Sequence, residues 1–244
     1  MSEPLAFTRL LNELFGGVVA SVMQAVGYHP ADAAAPITDR YALELLIAGG
    51  LIAFFALVRL TLSVDKPNPA QQIAELIHGA IGGQASEIIG HGYEKYQAFL
   101  TCIFLFVLSC NLIGLIPGIP APTTSPAVTL GIALPTFLYY NFQGFRAQGV
   151  IGYLKHFCGP IWWMAWLLLP IEIVSHLARI MSLTIRLYAN MFASDMLTLG
   201  FFSLIPVGVP AIFLGLHVFV SLIQAFIFTL LAMIYISLAV AHEH

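Results

Sequence analysis

Charge is the scarcest property of this chain: only 9% of its 244 residues are Asp, Glu, Lys or Arg. Average soluble domains carry roughly 25%, so a water-soluble globular domain is excluded. Nine basic against twelve acidic residues leave a net charge of −3. No basic patch offers a surface for nucleic acid. The three cysteines, Cys102, Cys110 and Cys158, form no ligand cluster. Cys102 and Cys110 lie in an apolar run and read as small hydrophobes, so neither a metal nor a cofactor is expected. The N-terminus lacks the basic region and apolar core of a cleavable signal peptide. The short alternating strands of an outer-membrane barrel are missing as well.

What the chain has instead is apolar length. Hydrophobic residues make up 59%, with 18 Phe, and mean hydropathy is +0.91. This predicts an all-α integral membrane protein, a multi-span helix bundle forming one membrane domain over residues 1–244. Residues 1–40 read as an interfacial or external segment, with an amphipathic helix from Leu5 to Val26 and a loop after it. Spans are expected at 41–62, 96–116 and 127–142, the last short and interrupted by Pro135. Arg59 ends the first span, close enough to its boundary to snorkel. Gln71–Ile89 reads as a surface helix broken at Gly82-Gly83, and a polar connection with Arg146 and Lys155 follows residue 142. Two longer apolar segments, 171–204 and 207–241, are joined by a Pro-rich turn at Leu204–Pro210. As one helix, 171–204 runs roughly 50 Å against a bilayer core of about 30 Å. A long, strongly tilted C-terminal antiparallel helix hairpin is therefore favoured over a break near Pro170 or Ser182.

Placing the N-terminus outside puts Arg59, Lys66, Lys95, Arg146 and Lys155 on cytoplasmic connections and leaves Arg9 and Arg40 outside. The C-terminus is then cytoplasmic. The lack of a transit peptide favours a bacterial plasma (inner) membrane.

Arg186 is the residue that most constrains function. It keeps its charge at any plausible pH, and at the centre of a membrane helix it costs several kcal/mol. Polar residues nearby fall at helical spacings: Glu172, His176, Arg179, Arg186 and Asn190 form one stripe. The last helix has its own polar face of His217, Ser221 and Gln224. Residues at one height in an antiparallel hairpin share a constant index sum. On that rule Arg186 meets Gln224, and Asp195 meets His217 roughly 10–14 Å further along. A static network of polar glue between membrane helices would explain Ser221 or Gln224. It does not need a cation that cannot be discharged, beside a His that can exchange protons. The pattern points to ion conduction.

The segment SLTIRLYANMFASDML, with Arg186, Asn190 and Asp195, resembles the central helix motif of the subunit-a family of rotary F-type ATP synthases. HVFVSLIQAFIFTLLAMIYISLA, with His217 and Gln224 seven apart, is similar to its last helix. CNLIGLIPG at Cys110–Gly118 is a third match. Together they cover about two thirds of the chain, from the second span onward. Asp195 stands where many relatives have glutamate, which keeps the charge and shortens the reach.

The resemblance implies two long tilted helices lying against a ring of c subunits, two offset aqueous half-channels, and an essential carboxylate on each ring subunit. It implies peripheral-stalk b-type subunits, the rest of the synthase and membrane lipid as partners, and no nucleic acid. The chain is then a non-catalytic subunit of an enzyme complex, with no chemistry on ATP. Arg186 is implied as the ion-coupling residue and Gln224 as the residue that orients it. Asn190, Asp195, His217 and Ser221 become proton-path residues, with Asp195 and His217 in the outside half-channel. Glu172 and His176 are expected to line the inner one, and Arg179 to pair with Glu172 or interfacial lipid. A secondary transporter, with Arg186 binding an anionic substrate, predicts inverted repeats and broken helices; the sequence shows no internal repeat.

Overall fold

The computed structural model describes residues 5–25, 35–63, 66–116, 119–158, 165–204 and 209–240. They form α1 (Ala6–Ala25), α2 (Asp39–Leu60), α3 (Pro69–Ile88), α4 (Glu94–Leu112), α5 (Pro126–Cys158), α6 (Ala165–Leu204) and α7 (Val209–Val240), with 3₁₀ turns at Ile113–Leu115 and Pro122–Thr124. The protein is an all-α, multi-span membrane bundle. α2, α4 with its 3₁₀ extension, α6 and α7 are each apolar and long enough to cross a membrane.

Local chemistry explains the boundaries. α2 opens on Asp39 and closes on Arg59, which complements the helix dipole at both ends. α3 starts with Pro69 behind an extended Asn68, the position where a missing N–H is harmless. α1 is fastened to the start of α2 by a reciprocal amide pair. Asn12 Nδ2 donates to the Ile37 carbonyl and the Ile37 N–H donates to Asn12 Oδ1, both at 3.0 Å. The Leu5 N–H adds a bond to Asp39 Oδ1 at 3.1 Å.

Several sequence expectations change here. α3 is not broken at Gly82-Gly83 but runs through both; the end of the Gln97 side chain lies against Gly82 and would have to move to admit a Cβ there. α5 is not interrupted at Pro135 and does not end at Phe142. Neighbouring helices tolerate proline inside membrane helices by satisfying the freed backbone. The real break comes at Gly149, with φ 73° and ψ 160°, a backbone open to glycine. α5 is also not among the four helices apolar enough to span alone, because prolines, threonines, tyrosines and Asn141 dilute its apolar run. α6 begins at Ala165 and passes through Pro170 and Ser182 without a break. Residues 205–208 of the expected 204–210 turn, 26–34 of the expected N-terminal loop, and 117–118 lie outside the described residues.

α7 is the helix around which the others pack: α3, α4, α5 and α6 all touch it. Of its most apolar stretch 44% is buried, against 17% in α2 and in α6. The cause is in its sequence. Ala225, Ala232 and Ala239, spaced by sevens, are all buried, and small side chains let membrane helices approach closely. One apolar core gathers Ile81, Ala85, Leu100, Tyr140, Met233 and Ile236. The other gathers Val107, Val128, Leu183, Leu187, Met191 and Phe228. Polar ties lock the first: Ser237 Oγ donates to the Ile88 carbonyl at 2.9 Å, and Gln148 Nε2 to the Ala239 carbonyl at 3.1 Å.

After α4 the chain turns back on itself at Gly114, where an added Cβ would meet the Ala121 Cβ at 2.7 Å. Gly114→Val should destabilise the bundle by about 1–3 kcal/mol. Gly131→Ala, with nothing within 4 Å of the new methyl, should be neutral or slightly stabilising. Heat-induced aggregation of the detergent-solubilised complex measures both; equal midpoints for the two variants would contradict the close approach at Gly114.

Candidate functional site

Arg186 projects from the middle of α6. Its Nη2 donates to Ser182 Oγ at 3.3 Å, one turn back. Among the described residues it makes no ion pair with a carboxylate. The side chain is half-buried, and Asn190, one turn on, is exposed. Gln224 of α7 is buried, and its Nε2 donates to the Arg186 backbone carbonyl at 3.1 Å. Gln224 thus holds the backbone from which Arg186 projects, while the guanidinium itself is held by Ser182. The pairing of positions 186 and 224 matches the index-sum expectation.

The second expected pair also meets, within a larger group. His217 is 2% exposed. Its Nδ1 lies 2.9 Å from Ser194 Oγ and 3.7 Å from Asp195 Oδ1, and its Nε2 lies 3.2 Å from the Asn111 carbonyl. A carbonyl only accepts, so neutral His217 carries its proton on Nε2, and Nδ1 accepts from the Ser194 hydroxyl. A second proton would enter on Nδ1, facing Ser194 and Asp195. Arg40 is a further cation within electrostatic reach of Asp195. Asn111 is fully buried: its Oδ1 accepts from Thr123 Oγ1 at 2.8 Å, and its Nδ2 finds no acceptor among the described residues. Ser221 stands apart from this group. It is fully buried, with its hydroxyl 4.0 Å from the Met191 sulfur.

A second polar cluster lies on the other side of Arg186. Glu172 Oε1 is 3.3 Å from His176 Nε2, and His176 Nδ1 is 3.1 Å from the Tyr140 hydroxyl. Both ring nitrogens are engaged, and His176 and Tyr140 are buried. Arg179 does not pair with Glu172 among the described residues: its guanidinium lies 5.3 Å from the centre of the Tyr235 ring, while the Glu172 carboxylate meets His176. A cation over an aromatic face is favourable without a carboxylate. Along α6, His176 and Asp195 lie roughly 15 Å and 14 Å from Arg186 in opposite directions.

Sequence reasoning missed Ser194, Asn111, Thr123 and Tyr140. Ser194 carried a signal, since it is adjacent to Asp195 and close to the same index sum with His217. The others lie on α4, α5 and the turn between them, whose pairing with α6 and α7 no index rule supplies. Among the described residues no three His, Cys, Asp or Glu side chains are grouped to hold a metal ion.

Residues 42–237 match the family described as ATP synthase A chain. The chain is 52% identical over 244 residues to ATP synthase subunit a of Koribacter versatilis, covering all of both chains. It is 46% identical to ATP synthase subunit a of Solibacter usitatus, over 96% of this chain and all of that one. It is 35% identical to ATP synthase subunit a 1 of Syntrophotalea carbinolica, again over the full length of both. With the family match spanning α2 to α7 and relatives of this identity covering the whole chain, the chain belongs to the ATP synthase subunit a family.

Proposed function

We propose that this chain is the ion-conducting stator subunit of a rotary ATP synthase, and that Arg186 couples transmembrane proton flow to rotation of a c-subunit ring. The observation that carries this is a guanidinium with no described carboxylate, midway between two buried titratable clusters. α6 and α7 act as a strongly tilted antiparallel hairpin. Forty residues of α6 make about 60 Å of helix, twice the bilayer core. The contacts of Gln224 with Arg186 and of His217 with Ser194 support the antiparallel register. An exposed apolar face on α6, with Leu177, Met181 and Ile185, supports a large partner beside Arg186. The ring is that partner; peripheral-stalk b-type subunits and lipid complete the surroundings.

The N-terminus lies outside a bacterial plasma membrane and the C-terminus in the cytoplasm, a reading supported by the Lys and Arg distribution. His217, Ser194 and Asp195 then line the outside half-channel, with Asn111 Nδ2 free to donate to water within it. Glu172, His176 and Tyr140 line the inner one. Arg186 stabilises an ionised ring carboxylate in the low-dielectric interface, so a ring subunit arriving there releases its proton to one half-channel. A proton from the other half-channel neutralises the carboxylate and frees it to leave. The fixed positive charge bars a proton from crossing directly between the two. No residue of this chain acts on ATP.

Arg186→Ala should abolish ATP-driven proton pumping in inverted vesicles while the complex still assembles, and Arg186→Lys should pump poorly because it lacks the planar fork. Near-normal pumping by the Ala variant would sink the assignment.

Asp195→Ala and His217→Ala should each lower passive proton flux through the membrane sector about tenfold without opening a leak, since Arg186 still separates the half-channels. The exchange Asp195→His with His217→Asp should recover more flux than the worse single variant. Flux is measured against pH with the soluble sector removed. Wild-type behaviour of both single variants would mean the outside path runs elsewhere.

Tyr140→Phe removes the partner of His176 Nδ1 and leaves its ring packing. Flux should fall several-fold, while complex yield should stay near that of the parent, as expected for loss of one buried hydrogen bond. An unchanged flux and pH profile would make Tyr140 a packing residue only.

A further inference from the structure

A cavity of about 550 Å³ lies between α2, α4 and α5, and among the described residues none of α6 or α7 lines it. Its size falls within the range of small-molecule sites. α2 turns toward it the i, i+3, i+4, i+7 face from Ala48 to Phe55, and α4 does the same from Phe99 to Phe106. The third wall is low because α5 presents Gly131 and Pro135 there, and no atom lies within 4 Å of where a Gly131 side chain would begin. Phe99 stacks on Tyr139, one turn beyond Pro135, with ring centres 3.8 Å apart, which braces one end.

That end is the charged one. Arg59 follows Phe55 by four residues and Lys95 precedes Phe99 by four, so each continues a lining face by one turn, about 6 Å. Both side chains are exposed, and neither makes an ion pair among the described residues. Glu94, beside Lys95, points about 100° away round the helix. The apolar cleft thus opens beneath two cations at a helix end, where membrane helices meet lipid headgroups.

We propose that the cleft is a binding site for an anionic diacyl phospholipid, with an acyl chain along the apolar wall and the phosphate between Arg59 and Lys95. Charge complementarity decides the occupant. A neutral lipid or an apolar partner helix would fill the cleft and leave both cations unused, whereas basic side chains near an anionic headgroup contribute about 1 kcal/mol each. The proposal rests on the membrane-spanning fold and not on the ion path, since no proposed ion-path residue lines the cleft.

The test uses the assembled complex, reconstituted with trace phosphatidylglycerol or phosphatidylcholine carrying a diazirine in mid-chain, and maps adducts after illumination. Phosphatidylglycerol should label the 48–55 and 99–106 stretches about tenfold more than phosphatidylcholine. Arg59→Ala with Lys95→Ala should lower its labelling to the phosphatidylcholine level and leave phosphatidylcholine unchanged. Gly131→Leu, which fills the cleft and leaves the charges, should suppress labelling by both lipids. Equal labelling by the two lipids in the parent complex would reduce the cleft to ordinary boundary lipid. Protection from both, with a b-type subunit cross-linked there instead, would assign it to a partner helix. Either result overturns the proposal.

Discussion

A guanidinium cannot shed its proton to enter an apolar phase, so an arginine midway along a membrane helix must be met by something else. Among the described residues the guanidinium of Arg186 is met by one hydroxyl, a turn away on its own helix. The helix that carries it leaves most of its apolar stretch uncovered, while its neighbour α7 is buried far more heavily. These facts belong together. A carboxylate on α7 opposite Arg186 would stabilise the isolated chain, and it would also neutralise the charge that the proposed coupling to a moving partner requires. The polar contact from Gln224 goes instead to the backbone: it fixes where Arg186 stands along the axis and does not engage the charged end of the side chain.

The register of α6 on α7 was legible in the sequence because helical rise is nearly constant. Once 186 is opposite 224, the neighbourhood of 195 and 217 follows by counting. The same regularity made the uninterrupted length of α6 readable. Failures came where a residue's usual meaning depends on solvent. Gly82-Gly83 and Pro135 read as interruptions, as they would in a water-exposed helix. In the bundle Gly82 receives the Gln97 side chain, and Pro135 lies inside α5, where neighbouring helices can satisfy the freed backbone. Arg179 was expected to pair with Glu172 or interfacial lipid, and within the bundle its guanidinium lies over the Tyr235 ring of α7. Tyr235 falls close to the index sum that pairs α6 with α7, whereas nothing in spacing foretells Tyr140, whose position depends on how α5 lies across α6.

The least legible feature of the His217 cluster is also the one that sets its geometry. His217 Nε2 is directed at a backbone carbonyl, and a carbonyl has no signature in a side-chain motif. That carbonyl is available because α4 is ending. Asn111 lies in the last turn, and the chain tightens into a 3₁₀ turn immediately afterwards; the final carbonyls of a helix lack the intrahelical partners of those before them. The chain can turn back there because Gly114 has no side chain to strike Ala121, and the returning segment brings Thr123 onto the Asn111 amide. A helix end, a glycine and a threonine thereby fix which nitrogen of a histidine on another helix holds its proton. With Nε2 directed at that carbonyl, Nδ1 faces Ser194 and Asp195. The orientation of the His217 ring is thus set by where α4 stops.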